Sequence, residues 1–413
     1  MRILIASKFF YMRGGAELVA INTRRMLLER GHDVRVLAMS YPENIELPEK
    51  HSFPSEIKPF GSLPAKIHGV WRMMGWGGVR RAAREALKNF RPDVVHMHNV
   101  HTYLSPVVAE EAKKLGIKVV WTLHDYKPIC PAYSCRQPDG TVCEECLHSG
   151  VGGVLKHRCM KGSLSGSLIG YLEARRWSRE RLEQIVDTYI APSAFLGRKL
   201  AEAGFDERKI EVLCNFVDPD KMEVLQGEGA KLPASKAFAG GHGNYFSYIG
   251  RLSHEKGVET LLRAAELADV PLKIAGRGPL LEDLKARYGA REGVEFLGHL
   301  DAPQVGDLLR GSLASVLPSE WYENNPLGVI ESLSTGTPVI GAEIGGIPEL
   351  IVPGRDGFTY PSRNVEALAA AMRATVEKDR SATPFDRPDI ARQAAARFSQ
   401  STHYARLLSI YSK

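Results

Sequence analysis

The chain has 413 residues, of which 44% are apolar and 25% charged, with 54 Lys+Arg against 48 Asp+Glu. This length exceeds what one core usually serves, so two domains are expected, and the ordinary charge content excludes a disordered or fibrous chain. No run of about 18 uncharged apolar residues occurs, and the opening MRILIASKFF enters a strand pattern at once, so neither a transmembrane helix nor a signal peptide is expected.

Charge is uneven. Residues 1–216 hold 32 Lys+Arg against 23 Asp+Glu, which leaves 22 against 25 for the rest. A basic half suits nucleic acid, an anionic membrane or a phosphorylated acceptor. Nothing in it resembles a nucleic-acid module, so a membrane surface or lipid phosphate is the expected partner and nucleic acid is not.

In chain order, Ile3 to Ala6 reads as a buried strand, KFFYMRGGAE as a glycine loop, and Glu17 to Arg30 as a helix closed by Gly31. Gly14 and Gly15 let the backbone approach a phosphate where that helix starts, although a purely structural Gly-Gly turn fits the same letters. Val34 to Ala38 is the second strand. KIHGVWRMMGWGGVRRAAREALKNFRP, at 66–92, then carries Met73, Met74, Trp71 and Trp76, with seven basic residues to one acidic between Lys66 and Arg91. Trp and basic residues together fit a segment at an anionic membrane surface or beside a lipid-linked acceptor; an amphipathic helix with its basic face in water accounts for them equally.

Asp93 to Met97 and Lys118 to Leu123 read as strands, with a helix from about Pro106 to Leu115 between them. The second strand ends in His124-Asp125-Tyr126, and a His in that place points into the crevice at the sheet edge. His96 and His98 fall on one strand face and, with His101, suit the acceptor side of a cleft better than a metal, since no carboxylate or Cys accompanies them.

From Pro128 to about Ser167 the βα rhythm lapses, and five of the six cysteines gather there. Under reducing conditions metal ligation explains them better than disulfides. Cys130, Cys143, Cys146 and Cys159, including the C-E-E-C knuckle, would close a tetrahedral Zn²⁺ site, with Cys135, His148 and His157 as substitutes. Reduced cysteines in a loop that packs by itself are the alternative. Helix is expected again from near Tyr171 past Arg181, strand at Tyr189 to Ala191, helix at Phe195 to Ala203 and strand at Ile210 to Leu213. NFVDPDK, at 215–221, is the expected crossing into a second domain.

That domain opens with the Gly-rich AFAGGHGN and a strand, Tyr245 to Ile249. In GRLSHEKG, Arg251 offers a planar fork and Lys256 a point charge to a diphosphate, and Gly257 starts a helix. Further strands are expected at Leu272 to Ala275, Val294 to Leu297 (before Gly298-His299-Leu300), Leu313 to Leu317 and Pro338 to Gly341. Between the last two, Asn325 is the expected N-cap and Pro326 the first turn of a helix that Gly336 stops. Glu323 and Glu331, with seven residues between them, would stand roughly 10 Å apart along that helix, about the span of two sugar rings joined through a diphosphate. Glu323 on a transferred sugar, Glu331 on ribose hydroxyls and the helix N-terminus on phosphates make a nucleotide-sugar site; two solvated glutamates are the plain alternative.

The string ENNPLGVIE resembles the E-x7-E signature of the retaining glycosyltransferases of family 4, which have the GT-B fold of two facing Rossmann-like domains. Many members have Phe-Gly after the first Glu, where this chain has Asn325-Pro326. The resemblance runs in order along nearly the whole chain, through G-G-A-E, H-D-Y, G-R-L-x-x-x-K-G, E-x7-E and a C-terminal helix crossing back to the first domain. It implies an α/β fold with an acceptor-side domain at 1–216, including the Cys-rich insertion at about 128–167. A nucleotide-sugar domain follows at 217–396, and the returning helix at 397–413.

It also implies catalysis by His124, Arg251, Lys256 and Glu323. Donor contacts would come from Gly14, Gly15, Arg251, Lys256, His299, Glu323, Asn324, Asn325, Pro326, Leu327 and Glu331. The expected activity is retaining, metal-independent transfer of a hexose from a UDP- or GDP-sugar to a glycan or lipid-linked acceptor in polysaccharide or glycoconjugate synthesis, on the cytoplasmic side of the plasma membrane. No catalytic cofactor is expected, only structural zinc. The rivals are a GT-B sugar-nucleotide epimerase or phosphorylase, which for the epimerase needs no acceptor, and a non-catalytic zinc-bearing scaffold.

Overall fold

The computed structural model describes residues 1–56, 63–227 and 244–413. The expected Gly-rich approach lies outside these residues up to position 243. The chain forms two compact units, Met1–Cys214 with His403–Lys413, and Asn215–Thr402.

In the first unit six short strands, β1 (Arg2–Ala6), β2 (Asp33–Leu37), β3 (Val94–Met97), β4 (Lys118–Thr122), β5 (Thr188–Ala191) and β6 (Ile210–Val212), form one parallel sheet in the order β2-β1-β3-β4-β5-β6. β1, β3, β4 and β5 are buried along nearly their whole length, which is why they read as continuous Val/Ile runs without alternation. The order reverses between β1 and β3, the position at which open α/β sheets leave a crevice at the strands' carboxyl ends. The helix Gln400–Ser412 closes this unit: Lys118 Nζ donates to the carbonyls of Ile410 and Tyr411 at 2.9 and 3.1 Å, and Arg406 bonds Glu211 at 2.6 Å.

The second unit repeats the plan with β7 (Phe246–Ile249), β8 (Leu272–Ala275), β9 (Val294–Gly298), β10 (Ser315–Leu317), β11 (Val339–Ala342) and β12 (Gly357–Tyr360), ordered β12-β11-β10-β7-β8-β9. Its reversal falls between β7 and β10. Two glycines hold the β7 and β8 loops together. A Cβ on Gly276 would stand 1.8 Å from the Gly250 carbonyl oxygen, and one on Gly278 2.2 Å from that of Leu252.

Local departures from the sequence expectation have physical causes. The 66–92 stretch forms two helices, Leu63–Met73 and Gly78–Phe90, because Gly75 and Gly77 both take positive φ and a Cβ on Gly75 would meet the Trp177 ring at 2.8 Å. The helix expected from Tyr171 begins at Leu164, where the Ser163 hydroxyl accepts from the Gly166 amide, and it ends at Arg176. Asn325 does not cap the Leu327–Ser334 helix. Pro326 occupies that place, and the Asn325 side-chain oxygen instead accepts from the Asn215 amide at 2.9 Å.

Candidate active site

In the second unit Arg251 and Lys256 follow β7, His299 follows β9 and Glu323 follows β10, so all four stand at the carboxyl edge and three flank the order reversal. Glu323 is buried and tightly held. Its Oε1 accepts from Lys256 Nζ at 2.5 Å, Ser319 Oγ at 2.8 Å and Trp321 Nε1 at 2.9 Å. Three donors on one oxygen fix the carboxylate in rotation and leave the second oxygen outside these contacts. The backbone is fixed as well: Gly346 N donates to the Glu323 carbonyl at 2.7 Å, and a Cβ on Gly345 would stand 2.1 Å from that oxygen. Lys256 also lies 5.2 Å from the Trp321 ring centroid. Sequence reasoning named the pair Lys256 and Glu323 but missed Ser319 and Trp321, whose signal was their place in the loop after β10.

Glu331 sits one and a half turns inside the Leu327–Ser334 helix and pairs with Lys221, which comes from the Pro219–Gln226 helix. Lys221 was likewise missed, inside a stretch read only as a crossing. Asn325 and Asn215 are bonded twice, the second time from Asn215 Nδ2 to the Asn325 carbonyl at 3.0 Å, and Asn325 Nδ2 is buried without a partner. This pairing sets the chain path through Asn324, Pro326 and Leu327 at the helix start. His299 and Arg251 are exposed.

In the first unit Gly14 is the N-cap of the Gly15–Glu29 helix in extended conformation, and both glycines are exposed after β1. A Cβ on Gly15 would meet nothing within 4 Å, whereas one on Gly14 would stand 3.2 Å from Glu17 Oε2. His124 follows β4. Its Nε2 lies 3.0 Å from His98 Nδ1, the two rings stack at 5.3 Å, and His98 in turn packs on His96 at 4.3 Å. Tyr411 of the C-terminal helix bonds His96 Nδ1 at 2.6 Å, and His96 Nε2 bonds Thr122 Oγ1 at 2.8 Å. His96 and His98 are therefore buried beneath the edge, only 2% and 1% exposed, and do not line a cleft as their spacing suggested.

Burial pushes His124 down to about 4, and His96, with the added repulsion of His124 and His403, to about 3; His98 falls well below its ordinary value for the same reasons. All three rings are neutral near pH 7. His98 Nε2 is buried without a partner, and a bare acceptor tolerates that better than an N–H does. His98 is therefore assigned its proton on Nδ1, donating to His124 Nε2, which leaves the His124 proton on Nδ1.

The cysteine loop is folded around two short helices, Glu145–Ser149 and Gly153–Lys156. Cys146 Sγ would stand 3.2 Å from a Cβ on Gly153, and Cys159 Sγ lies 4.0 Å from the Gly153 carbonyl oxygen, so both thiols lie beside Gly153. Cys130 instead bonds Cys135, which brings its thiol down to about 7. The ligand atoms of Cys143, Glu145 and His157 lie within 4.8 Å of one another, with His157 Nε2 2.6 Å from Glu145 Oε2; the other three expected zinc cysteines do not join that group.

The profile of Glycosyltransferase Family 4 matches residues 13–221, and that of Glycosyl transferases group 1 matches residues 235–394. Glycogen synthase of Mycobacterium tuberculosis is 28% identical over 403 residues, covering 91% of this chain and 86% of its own. Among solved structures, Anabaena Alr3699/HepE in complex with UDP and glucose superposes at a TM-score of 0.64 with 19% identity, over 100% of this chain and 99% of that one. Sucrose-phosphate synthase of Thermosynechococcus elongatus gives 0.66 with 16% identity, over 100% and 98%. The fold is GT-B, and the chain belongs to glycosyltransferase family 4. It is a nucleotide-sugar glycosyltransferase of the hexosyltransferase class.

Proposed function

We propose that the enzyme moves a hexose, with retention, from a UDP- or GDP-sugar to a glycan or lipid-linked acceptor in polysaccharide or glycoconjugate synthesis. The observation that carries this is the Lys256–Glu323 contact at the β7/β10 reversal, with Arg251 on the same loop as Lys256. Arg251, Lys256 and the amide end of the Leu327–Ser334 helix would neutralise the departing diphosphate, so no catalytic metal is required. Gly14 and Gly15 offer backbone amides to the phosphates.

Glu323, fixed through Oε1, presents its other oxygen to hydroxyls of the transferred sugar, and His124 donates from Nδ1 to the same sugar. Glu331 takes the ribose hydroxyls, with Lys221 holding it in place, Asn324 to Leu327 shape the phosphate end, and His299 meets the base. The C1–phosphate bond breaks, the acceptor oxygen bonds C1 on the same face, and its proton passes to the departing phosphate oxygen. The products are the glycoside and a nucleoside diphosphate. A panel of nucleotide sugars, assayed for nucleoside diphosphate release by wild type and Lys256→Ala, tests this. Release from a UDP- or GDP-sugar by wild type alone supports it, and equal release by the variant contradicts it.

The same proposal includes a structural zinc held by Cys130, Cys143, Cys146 and Cys159. It is supported by the placement of Cys146 and Cys159 beside Gly153, and it requires Cys130 to leave Cys135. It also includes peripheral docking of the first unit, from the cytoplasmic side, on an anionic membrane. Here the structure narrows the basis. Arg72 is buried on the Ser55 carbonyl, and Arg80 bridges Glu110 and Glu111 at 2.7 and 2.6 Å, so neither faces a membrane. Half-exposed Trp71 and Trp76, in edge contact at 4.7 Å, and exposed Arg81, Lys88 and Arg91 remain, while Arg84 pairs with Glu111. Among the described residues no helix is long and apolar enough to cross a membrane.

A further inference from the structure

The Leu164–Arg176 helix is amphipathic the wrong way round. Its inward face is small and polar: Ser167, Gly170 and Glu173 are buried, with Ser167 Oγ accepting from the Met160 amide at 3.2 Å and Gly170 packed on the Met160 side chain. Glu173 accepts from the Thr102 amide and from Lys127 Nζ, each at 2.8 Å. The outward face carries Leu164, Leu168, Ile169 and Leu172, each between 38% and 57% exposed and spaced i, i+4, i+5, i+8. A helix of a globular protein normally puts that stripe against the core. Contiguous apolar surface left in water marks an interaction site.

Charge says what covers it. From Lys156 to Ser178 the chain carries Lys156, Arg158, Lys161, Arg175 and Arg176; Lys156 pairs with Glu145 and Arg176 with Glu110, each at 3.1 Å, which leaves Arg158, Lys161 and Arg175 exposed, and the one acid in this stretch, Glu173, is buried. Lys161 and Arg175 are exposed and flank the stripe. Leucines framed by cations match the acyl boundary and headgroups of an anionic leaflet, whereas a second copy would bring the same positive charge against itself. The helix also joins the Trp-bearing segment: Arg176 Nε donates to the Met74 carbonyl at 3.1 Å, and Trp177 Nε1 to that of Met73 at 2.8 Å.

We infer that the outward face of the Leu164–Arg176 helix is a membrane-docking surface that inserts Leu164, Leu168, Ile169 and Leu172 into an anionic leaflet beside Trp71 and Trp76. This rests on the peripheral docking proposed above and moves its apolar centre to a second helix.

The test is flotation of the full-length protein with vesicles of phosphatidylglycerol and phosphatidylcholine, against phosphatidylcholine alone, for wild type, Leu168→Gln/Leu172→Gln and Trp71→Ala/Trp76→Ala. Both leucines are exposed, so the first variant should keep its melting temperature and its nucleotide-sugar hydrolysis in solution. Its partition onto the anionic vesicles should fall about tenfold or more. Undiminished flotation of the leucine variant with loss in the tryptophan variant overturns this inference and leaves the earlier docking proposal standing. No flotation of wild type overturns both. A wild-type dimer in solution that the leucine variant dissociates assigns the face to self-association and also overturns the inference.

Discussion

Lowering the pH from 7.5 to 5.5 should destabilise the first unit through its buried histidines. His96, His98, His101, His124 and His403 are all neutral in the folded protein at pH 5.5: burial, the leading cause in each case, brings His96 to about 3 and both His124 and His403 to about 4, and takes His98 and His101 well below their ordinary value. In the unfolded chain each returns to 6.5. Above pH 7 both states are uncharged at these sites and nothing changes. Between 6.5 and about 4 the unfolded chain takes up protons that the folded one does not, so stability falls as pH falls. At pH 5.5 His96, His124 and His403 each contribute roughly 1.4 kcal/mol, about 4 kcal/mol for the three, with His98 and His101 adding in the same direction, a large share of a domain's usual stability. Asp125, whose carboxyl burial raises, acts in the opposite sense for at most one proton.

A global melt would mix the two units, so the assay is amide exchange at Val94–Met97 and Lys118–Thr122 in native buffer, which reads opening of this sheet directly. The opening free energy should fall with a slope that steepens from about two protons per opening at pH 6.5 to about four at pH 5.5, reduced by up to one in His98→Gln. A flat profile would refute the neutral-cluster argument.

Lys256→Ala and Arg251→Ala should each lower kcat by roughly 100- to 1,000-fold with a smaller change in KM, because their charge matters most as the diphosphate departs; a pure KM effect in steady-state kinetics would count against this. Glu331→Ala should weaken donor binding by roughly 10- to 150-fold, the worth of a charged hydrogen bond, and unchanged binding by calorimetry would remove Glu331 from the site. Protein purified without chelator or immobilised metal should hold zinc near one equivalent, lost in Cys146→Ser. Metal analysis below about a tenth of an equivalent in wild type would end the zinc proposal.

Most strands were legible because parallel strands buried on both faces spell continuous apolar runs, and among the described residues eleven of the twelve strands were placed within two residues or so at each end. β12 was not anticipated: Gly357–Tyr360 is four residues long and two of them are half-buried. Lys256 and Glu323 were legible through motif spacing, but what fixes Glu323 was not. Ser319 and Trp321 act through a loop conformation that no periodicity encodes, and Lys221 reaches Glu331 from 110 positions away. The histidines misled for a related reason. Alternation puts His96 and His98 on one face correctly, yet only the position of Tyr411, from the far end of the chain, shows that this face is covered.

Arg251, Lys256 and Glu323 are proposed to serve a retaining transfer from a nucleotide sugar. The most direct measurement is proton NMR of the product formed from the active donor and an acceptor, following the anomeric signal from the first turnovers in wild type and in Glu323→Gln. The account predicts nucleoside diphosphate release coupled one for one to a glycoside with the donor's anomeric configuration, and slow formation of the same anomer by Glu323→Gln. An inverted product, or conversion of the free nucleotide sugar without any acceptor, would contradict it.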